Sequence, residues 1–440
     1  MTKKMCVVGL GYIGLPTAVM FADHGFNVLG VDINEEAVNQ LNNKQLHIEE
    51  PGLQERLETT VDKGLFRAST VPETADVYIL AVPSPINEDK TANLDYVRAA
   101  AESIVPFLQK GNLVILESTV PPRTVEDVLI PVLKKSNLHI GEELFVSHSP
   151  ERVIPGKLFE ELVNNDRIVG GINAQSTELT VQLYKTFVKG TIHKTDATTA
   201  ELVKVMENTY RDVNIALANE LAQIGEKLGV NIWEAIQLAN YHPRVNIHYP
   251  GPGVGGHCIA VDPWFIVEQA PDLAKLILLS RNINDHMPDY VVDKVRQLAS
   301  ILGIEDPKIA VWGLSFKGNI DDMRGTPSME VIKGLERQGY AYTVFDPHIR
   351  ENKVPNQTQS VEDSVNGADF ILVLTDHDYY KAVDVQKLKG LMRHAHVVDT
   401  RNLLNRDEWK AAGFVHFRLG DSKNTDMDQQ VVEEVAVASK

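Results

Sequence analysis

The chain has 440 residues, 43% hydrophobic and 23% charged, which is the composition of an ordinary globular protein of two or three domains. Its 43 basic and 60 acidic residues give a formal net charge of −17, which disfavours nucleic acid and anionic membrane surfaces as partners. Because it has two cysteines, no bilayer-length apolar run and no signal-peptide pattern, we expect a cytoplasmic protein without a disulfide framework.

Short apolar runs alternate with helix-length segments over the first third of the chain. The predicted helices include Leu15–His24 and Leu94–Leu108. The runs that predict strands are Lys4–Gly9, Asn27–Asp32, Asp76–Val82, Leu113–Glu117 and Leu144–Ser147. Apolar strands in alternation with helices predict a parallel, doubly wound sheet.

A G-x-G-x-x-G pattern connects the first predicted strand to the helix after it. Its residues are Gly9, Leu10, Gly11, Tyr12, Ile13 and Gly14. In such a βαβ unit the glycines make a tight turn, admit a pyrophosphate and allow close packing of helix on strand, and the helix N-terminus stabilises the phosphates. Asp32 ends the next strand, where a carboxylate accepts hydrogen bonds from ribose and repels a 2′-phosphate. The pattern predicts an NAD site; glycines that serve only the turn are the alternative.

Two further strand ends are expected at the same edge of the sheet, where ligands bind. They are the segments Val82-Pro83-Ser84-Pro85 and Glu117-Ser118-Thr119. Ser84 and Thr119 are therefore additional candidates for contact with the coenzyme.

The middle of the chain predicts a different architecture. From Thr198 to about Leu228 there is no proline and, before Gly225, no glycine, so we predict one long helix. On it Lys204, Asn208 and Arg211 are spaced i, i+4 and i+7 and share one face. A solvated face explains such a set equally well, although a lysine one turn from an asparagine is also typical of a site that holds an oxyanion.

Cys6 and Cys258 differ in their surroundings. Cys6 lies inside the first predicted strand and is expected to be a small buried hydrophobe. Cys258 follows a glycine-rich loop and precedes helix-like sequence, a setting that stabilises a thiolate, and Asp262 comes four residues later. A nucleophile and a packed thiol remain open alternatives. A zinc site would recruit His257, His248 or Asp262, but neighbouring His257 and Cys258 seldom point the same way, so we predict no metal.

Alternating strands and helices return from Lys308. Ala75-Asp76 has an echo in Ala368-Asp369, and Val31-Asp32 has one in Phe345-Asp346. We interpret this as a second Rossmann-like domain, although any two βα-rich segments look somewhat alike. The predicted domains are 1–197 for NAD binding, 198–300 as a helical centre with the cysteine loop and a dimer interface, and 301–440 as a second nucleotide-binding domain. The polar last twenty residues are expected to be poorly ordered.

Several of these motifs occur in one order along nearly the whole chain. They are Gly9-x-Gly11-x-x-Gly14, Glu117-Ser118-Thr119, Ser149-Pro150-Glu151-Arg152, Lys204 with Asn208, Gly255-Gly256-x-Cys258-x-x-x-Asp262 and Phe316-Lys317 with Asp321-Asp322-x-Arg324. Together they resemble the UDP-glucose/GDP-mannose dehydrogenase family, whose members oxidise a sugar nucleotide at C6 from alcohol to acid. The segments 208–215 and 241–247 are most similar to members that act on UDP-N-acetyl-D-mannosamine. Ser84 departs from the threonine that is frequent in the family, but the hydroxyl is kept.

The resemblance implies a role for each catalytic candidate. Cys258 would be the nucleophile that forms first a thiohemiacetal and then a thioester, which retains the intermediate aldehyde. Lys204 would stabilise the alkoxide and take part in proton transfer, and Asn208 would help to hold the oxyanion. Glu151 and Asp262 would handle the hydrolytic water and orient Lys204.

The resemblance also implies binding residues. Arg324 would reach NAD, and Arg244 would reach the site of the neighbouring subunit of a homodimer. The implied contacts with the sugar nucleotide are Arg152, Val153, Lys204, Asn208, Arg211, His242, Arg244, Gly255, Phe316, Lys317 and Arg401. A surface ion pair is the alternative for Lys317, Arg324 and Arg401.

The sequence thus predicts an NAD-dependent, four-electron oxidation of UDP-N-acetyl-D-mannosamine to its uronate, for bacterial or archaeal surface polysaccharide precursors. The same chemistry on UDP-N-acetylglucosamine or UDP-glucose is the nearest alternative. A two-electron β-hydroxyacid dehydrogenase has a similar plan but needs neither Cys258 nor the C-terminal domain. A non-catalytic NAD-binding sensor or scaffold is the alternative from a different class.

Overall fold

Two mainly parallel β-sheets, each with a hydrophobic core on both faces, form the framework of the molecule. The computed structural model describes residues 3–154 and 156–421. The predicted α/β class with two Rossmann-like domains is confirmed. The expectation of disorder at the C-terminus concerns residues that lie outside this description.

The chain divides into two compact units. The N-terminal unit runs to Glu207 and includes Trp264–Ala274, and the C-terminal unit holds Asn208–Pro263 and the chain from Lys275 onwards. The domain boundaries predicted at 197 and 300 stay predictions.

The sheet of the N-terminal unit has the strand order β3-β2-β1-β4-β5-β6-β7-β8. Its strands are β1 (Lys4–Val8), β2 (Asn27–Val31), β3 (Phe66–Ser69), β4 (Val77–Leu80), β5 (Asn112–Leu116), β6 (Leu144–His148), β7 (Arg167–Gly171) and β8 (Ile192–Asp196). The sequence patterns did not predict β3, β7 or β8. The sheet is also not wholly parallel, because β7 runs antiparallel to β6.

Helices cover this sheet, and two of them begin at an asparagine cap. They are α1 (Gly14–Asp23), α2 (Glu35–Asn42), α3 (Leu53–Asp62), α4 (Asp95–Ile104), α5 (Ile130–Leu133), α6 (Leu158–Asn164) and α7 (Ala174–Tyr184). The side chain of Asn34 accepts hydrogen bonds from the first turn of α2, and Asn173 does the same for α7. Helix α1 lacks a side-chain cap, so none of its first N–H groups is satisfied in that way.

The predicted long helix is confirmed as α8 (Ala197–Leu228), which has 32 residues. It is followed by α9 (Ile232–Ala239), α10 (Asp262–Gln269) and α11 (Lys275–Ile301). Within the C-terminal unit, Asp212 of α8 accepts hydrogen bonds from Arg281 and Asn284 of α11, and all three side chains are buried. This buried ion pair ties the two helices together.

The sheet of the C-terminal unit is wholly parallel, with the order β10-β9-β11-β12-β13. Its strands are β9 (Lys308–Trp312), β10 (Ala341–Phe345), β11 (Phe370–Val373), β12 (His396–Asp399) and β13 (Val415–Arg418). The accompanying helices are α12 (Pro327–Arg337), α13 (Val361–Val365), α14 (Val385–Leu391) and α15 (Arg406–Ala411).

The two sheets repeat the same hydrogen bonds around an aspartate at the end of their second strand. In the N-terminal unit the N–H of Leu10 donates to Asp32 at 2.9 Å. In the C-terminal unit the N–H of Leu314 donates to Asp346 at 2.7 Å. The echo in the sequence therefore corresponds to one structural motif used twice.

The second copy of this motif is closed by a histidine. Asp346 is 3% exposed and lies 3.0 Å from Nε2 of the buried His377. Although burial alone would raise it, the hydrogen bond to His377 holds the pKa of Asp346 below its usual value. The carboxylate of the second copy is thus already occupied.

Candidate active site

The glycine-rich turn after β1 has the geometry that a pyrophosphate requires. Gly9 has a φ of +94°, and a Cβ on it would lie 2.4 Å from the carbonyl oxygen of Ala81. A Cβ on Gly14 would lie 1.9 Å from the carbonyl oxygen of Gly9, so α1 packs directly on the turn. A Cβ on Gly11 would meet no described atom within 4 Å, so it would project into open space where phosphate oxygens approach the backbone.

Asp32 is fixed at this turn by the backbone. Its Oδ2 accepts the N–H of Leu10 and its Oδ1 accepts the N–H of Asn34, each at 2.9 Å. Each carboxylate oxygen keeps a second lone pair, which is the acceptor that ribose hydroxyls need. Ile33, the next residue, is 88% exposed and supplies no cation for a 2′-phosphate. The turn and Asp32 fit NAD.

We expect Asp32→Ala to weaken NAD binding about 10- to 100-fold, because hydrogen bonds to a charged acceptor contribute roughly 1.5–3 kcal/mol. Discrimination against NADP should relax at the same time, since the charge that repels the 2′-phosphate is gone. KM values for both coenzymes measure the change, with Asp346→Asn in the second copy of the motif as control. Wild-type protein that uses NADP as well as NAD would contradict the role of Asp32.

The other two predicted coenzyme loops are bonded to each other at the ends of β4 and β5. The hydroxyl of Ser84 donates to the carbonyl oxygen of Thr119. The hydroxyl of Ser118 donates to the carbonyl of Val82 at 2.7 Å and accepts the N–H of Val82 at 2.9 Å. The N-terminal unit thus gathers Ser84 and Thr119 on neighbouring strands of the sheet that carries the glycine turn.

Glu151 belongs to a buried charged cluster that the sequence did not reveal. Arg167 of β7 donates through Nη2 to Glu151 and through Nη1 to Ser149 at 3.1 Å, and its Nη1 lies 3.4 Å from Glu117. Tyr184 donates its hydroxyl hydrogen to Glu117, and its ring lies 4.1 Å from the guanidinium carbon of Arg167. An arginine that opens an apolar strand was the available sign of this cluster.

Lys204 is half-buried on α8 within the N-terminal unit. Burial lowers the pKa of His148, at the end of β6, to about 3, and the Lys204 cation contributes in the same direction. His148 is therefore neutral beside a cation. Arg152, next to Glu151, pairs with Glu207 of α8 at 2.7 Å.

Cys258 lies on the surface of the C-terminal unit, after the glycine-rich loop. A Cβ on Gly256 would lie 2.9 Å from the ring of Phe316, so the loop packs tightly against that predicted substrate residue. Helix α10 begins at Asp262, one turn after Cys258 rather than at it, and the N–H of Asp262 donates to the carbonyl of Cys258 at 2.9 Å. Cys6, in contrast, is fully buried, and burial raises its pKa to about 12.

Asn208 and Asp262 are joined in the same unit. Asn208 donates from Nδ2 to Oδ2 of Asp262 at 2.6 Å, and both side chains are buried. This bond fixes the amide orientation of a predicted oxyanion donor.

Asparagines of helix α8 hold the loop before Cys258, a feature that the sequence analysis missed. Asn214 of α8 accepts the N–H of His248, and Asn219 of α8 accepts the N–H of Gly251, each at 2.9 Å. Asn219 also donates to Asn284, which connects the loop to the buried ion pair. Asparagine mid-helix is a weak sign of such anchoring, because the partner lies far away in the sequence.

The remaining predicted binding residues of the C-terminal unit, for substrate or NAD, have varied surroundings. Arg211, His242, Arg244 and Lys317 are exposed, and Gly255 lies between Phe316 and Pro327. Arg401 is not a surface ion pair: its Nε donates to the carbonyl of Leu374 at 2.9 Å, and it borders a cavity of about 390 Å³ with Trp233, Tyr249 and Arg418. Arg324 pairs with Asp322 at 2.6 Å.

The predicted residues are thus divided between the units. Those on the N-terminal unit are Gly9, Gly11, Tyr12, Ile13, Gly14, Asp32, Ser84, Thr119, Glu151, Arg152, Val153 and Lys204. The C-terminal unit carries Asn208, Cys258, Asp262 and the other substrate residues. No group of His, Cys, Asp or Glu suited to a metal ion occurs in residues 3–154 and 156–421, and none of the helices in those ranges could span a bilayer.

Two Rossmann-like sheets, one of them with a turn that fits NAD, define a dinucleotide-binding protein. Three family models match, described as the NAD binding domain (residues 3–188), the central domain (198–286) and the UDP binding domain (310–406) of the UDP-glucose/GDP-mannose dehydrogenase family. The chain belongs to this family and is an NAD-dependent UDP-sugar dehydrogenase. The predicted family, enzyme class and coenzyme are confirmed.

Three similar proteins illustrate the relationship. A UDP-N-acetyl-D-mannosamine dehydrogenase of Methanococcus maripaludis is 49% identical over 95% of this chain and 97% of its own length. An NDP-N-acetyl-D-galactosaminuronic acid dehydrogenase of Ralstonia solanacearum is 45% identical over 91% of this chain and 96% of its own. The structure of a UDP-D-ManNAc dehydrogenase from Pyrococcus horikoshii has a TM-score of 0.89 and 39% identity, with coverage of 96% and 100%.

Proposed function

We propose that the protein oxidises UDP-N-acetyl-D-mannosamine at C6 to UDP-N-acetyl-D-mannosaminuronate through a covalent intermediate on Cys258. The observation that carries the covalent step is an exposed thiol one turn before α10, next in sequence to a tightly packed glycine loop. The substrate assignment is supported by the 49% identical relative of that name. NAD, when bound, supplies the hydride acceptor, and a second NAD replaces the first NADH before the second oxidation.

In the first half of the reaction Lys204 passes the proton of the C6 hydroxyl to solvent, and the alkoxide that remains loses a hydride and becomes an aldehyde. The ammonium group of Lys204 stabilises the alkoxide from which the hydride departs. The Cys258 thiolate then adds to the aldehyde carbon, which forms a C–S bond and an oxyanion, and Asn208 donates a hydrogen bond to that oxyanion. Covalent capture keeps the aldehyde on the protein.

In the second half the thiohemiacetal carbon loses a second hydride, which leaves a thioester. Water adds to the thioester carbon, Glu151 accepts a proton from the water, and the C–S bond breaks to release the acid and the thiolate. Asp262 orients Asn208 through its 2.6 Å hydrogen bond and, we propose, Lys204 as well. Each sugar therefore consumes one water and yields two NADH.

The sugar nucleotide is proposed to contact Arg152, Val153, Lys204, Asn208, Arg211, His242, Arg244, Gly255, Phe316, Lys317 and Arg401. Arg324 is proposed to contact NAD. The cavity beside Arg401 supports this assignment, because Arg401 and Arg418 offer charge to a diphosphate and the exposed ring of Tyr249, stacked on the buried Trp233, offers one face to a base. The cytoplasmic location and a role in surface polysaccharide precursors stay predictions.

A panel of UDP-sugars tests the substrate assignment. The acetamido group of the mannose and glucose epimers points to opposite faces of the ring, and a site that hydrogen-bonds one epimer rejects the other by up to about 10⁴–10⁵-fold. We expect efficient turnover of UDP-N-acetylmannosamine, with two NADH per sugar, poor turnover of UDP-N-acetylglucosamine and almost none of UDP-glucose. The relative from Ralstonia makes UDP-N-acetylgalactosamine the second candidate to include.

The outcomes of this panel separate the alternatives. Equal kcat/KM for UDP-N-acetylmannosamine and UDP-N-acetylglucosamine would exclude the mannosamine assignment and leave the dehydrogenase class intact. One NADH per sugar would exclude the four-electron reaction. Arg211→Ala should lose more activity with the acetamido sugar than with UDP-glucose, because Arg211 is proposed to contact the acetamido group.

We further propose a homodimer in which Arg244 completes the site of the neighbouring subunit. Helix α8 supports this, because Tyr210, Leu217, Ile224 and Leu228 expose apolar side chains at spacings of seven, seven and four residues within the C-terminal unit. Such a stripe on a long helix is typical of a contact between subunits.

Mixed dimers test the contribution of Arg244. Each mixed dimer of Cys258→Ser and Arg244→Ala chains would have one doubly damaged site and one intact site if Arg244 acts across the interface. We therefore expect co-expressed variants to regain activity that neither homodimer has, measured as NADH formation. Purified mixed dimers without regained activity would show that Arg244 acts within its own chain or not at all. Wild-type mixed with Cys258→Ser chains is the control for subunit exchange.

A further inference from the structure

Arg167 is a buried cation that faces two carboxylates. Its side chain is 4% exposed, and those of Glu117 and Glu151 are 0% and 9% exposed. Buried charges are retained only when they are paired and hydrogen-bonded, so the three groups must share charge and protons among themselves. Glu117 and Glu151 therefore compete for the one guanidinium group of Arg167.

The hydrogen bonds favour Glu151 as the main partner of Arg167. One oxygen of Glu117 receives the Tyr184 hydroxyl and lies 3.4 Å from Arg167, so Glu117 is the more distant of the two carboxylates. Burial raises the pKa of Glu117 to about 7, against the attraction of Arg167. Burial thus disfavours the charged form of Glu117, and the closer contact of Arg167 is the one to Glu151.

Glu151 is held from two sides. Its Oε2 receives Nη2 of Arg167, and its Oε1 receives the N–H of Arg152 at 2.7 Å. Arg167 is itself fixed by the hydroxyl of Ser149 and by the ring of Tyr184. The carboxylate thus has one orientation, and each of its oxygens keeps a lone pair for a further donor.

We propose that Arg167 is a positioning residue for Glu151, held by Glu117, Ser149 and Tyr184, and that it holds this carboxylate in the orientation needed for the hydrolysis of the thioester. The inference rests on the proposed function, in which Glu151 accepts a proton from the attacking water. Arg167 touches neither substrate nor coenzyme in this scheme. Its effect is therefore confined to the step in which water adds and the C–S bond breaks.

Accumulation of the thioester tests the proposal. In Arg167→Lys we expect hydrolysis to slow roughly 10²-fold, because a carboxylate misplaced by about 1 Å loses that much rate. The two hydride transfers should continue, so a rapid burst of two NADH per Cys258 should precede slow turnover. Intact-mass spectrometry during turnover should then show the acyl group on Cys258, whereas a merely misfolded site would slow every step and show no adduct.

Glu151→Gln is the reference variant, and it should accumulate the same adduct with a loss of about 10²–10⁴-fold in hydrolysis. Normal hydrolysis in Glu151→Gln would overturn the proposed role of Glu151 itself. An adduct in Glu151→Gln together with normal hydrolysis in folded Arg167→Lys would overturn only the present inference. The two failures are thus distinguishable.

Two further variants complete the experiment. Lys194→Met removes an exposed cation, paired with Glu178, from the neighbouring strand β8, and it should leave every step unchanged. Ser149→Ala removes one hydrogen bond that fixes the Arg167 guanidinium and should slow hydrolysis about tenfold, since a hydrogen bond to a charged group contributes roughly 1.5 kcal/mol or more. If Arg167→Lys does not fold, unchanged hydrolysis in Ser149→Ala overturns the proposal.

Discussion

Cys258→Ser is expected to abolish the formation of the acid while NAD still binds. A serine hydroxyl is far harder to deprotonate than a thiol, so neither the thiohemiacetal nor the thioester forms at a useful rate. Loss of a covalent nucleophile typically lowers kcat by about 10⁴–10⁶-fold. The measurement is acid released and NADH formed per sugar, together with NAD affinity, which should match the wild type.

Cys6→Ser is the matched control for this change. Its side chain is fully buried in the first strand of the N-terminal sheet, so the substitution should lower stability and leave the chemistry intact. Acid production at the wild-type rate by Cys258→Ser would rule out the covalent mechanism. If a folded Cys6→Ser lost acid production to the same extent, the loss in Cys258→Ser would not be specific to Cys258.

Asp212→Ala is expected to destabilise the C-terminal unit by about 3–5 kcal/mol, the usual cost of removing one partner from a buried ion pair. Arg281 is 1% exposed and would keep only the carboxylate of Asp285. Three of the four tryptophans, Trp233, Trp312 and Trp409, lie in this unit, so denaturation followed by tryptophan fluorescence reports mainly on it.

The double variant Asp212→Leu/Arg281→Met separates charge from packing. Removal of both charges leaves no buried ion alone, so the double variant should recover much of the stability that Asp212→Ala loses. A single variant as stable as the wild type would mean that the pair contributes nothing to stability.

Asp212→Ala should also raise KM for the sugar nucleotide. Asp212 accepts a hydrogen bond from Asn284, and Asn284 accepts one from Asn219, which holds the backbone of Gly251.

Features that depend on short stretches of sequence were predictable. The glycine turn, Asp32 and the strands around them follow from a local pattern, because the turn requires a positive φ at Gly9 and leaves no room for a side chain at Gly14. The long helix α8 was equally clear, since its span before Gly225 lacks both helix-breaking residue types. Family resemblance then supplied roles that no spacing could have assigned.

Features that depend on distant partners were not predictable. Strand β8 is an edge strand with exposed His193 and Lys194, so it lacks the apolar run that identifies a buried strand. Strand β7 contains Gly170 because a Cβ there would lie 2.1 Å from the carbonyl oxygen of Asp196, a contact that only the fold creates. Arg167 was overlooked for the same reason, since its partners come from three other segments.

The histidine that closes the second aspartate motif makes the C-terminal sheet a poor site for NAD. An adenosine ribose needs a free carboxylate at the end of the second strand, and in the C-terminal sheet His377 already occupies Asp346. The helix that follows the turn at Gly313 begins only at Pro327, so no dipole faces that turn to attract a pyrophosphate. We therefore expect NAD to saturate at one molecule per chain in a binding titration, and an excess of NAD not to compete with the sugar nucleotide for the second domain.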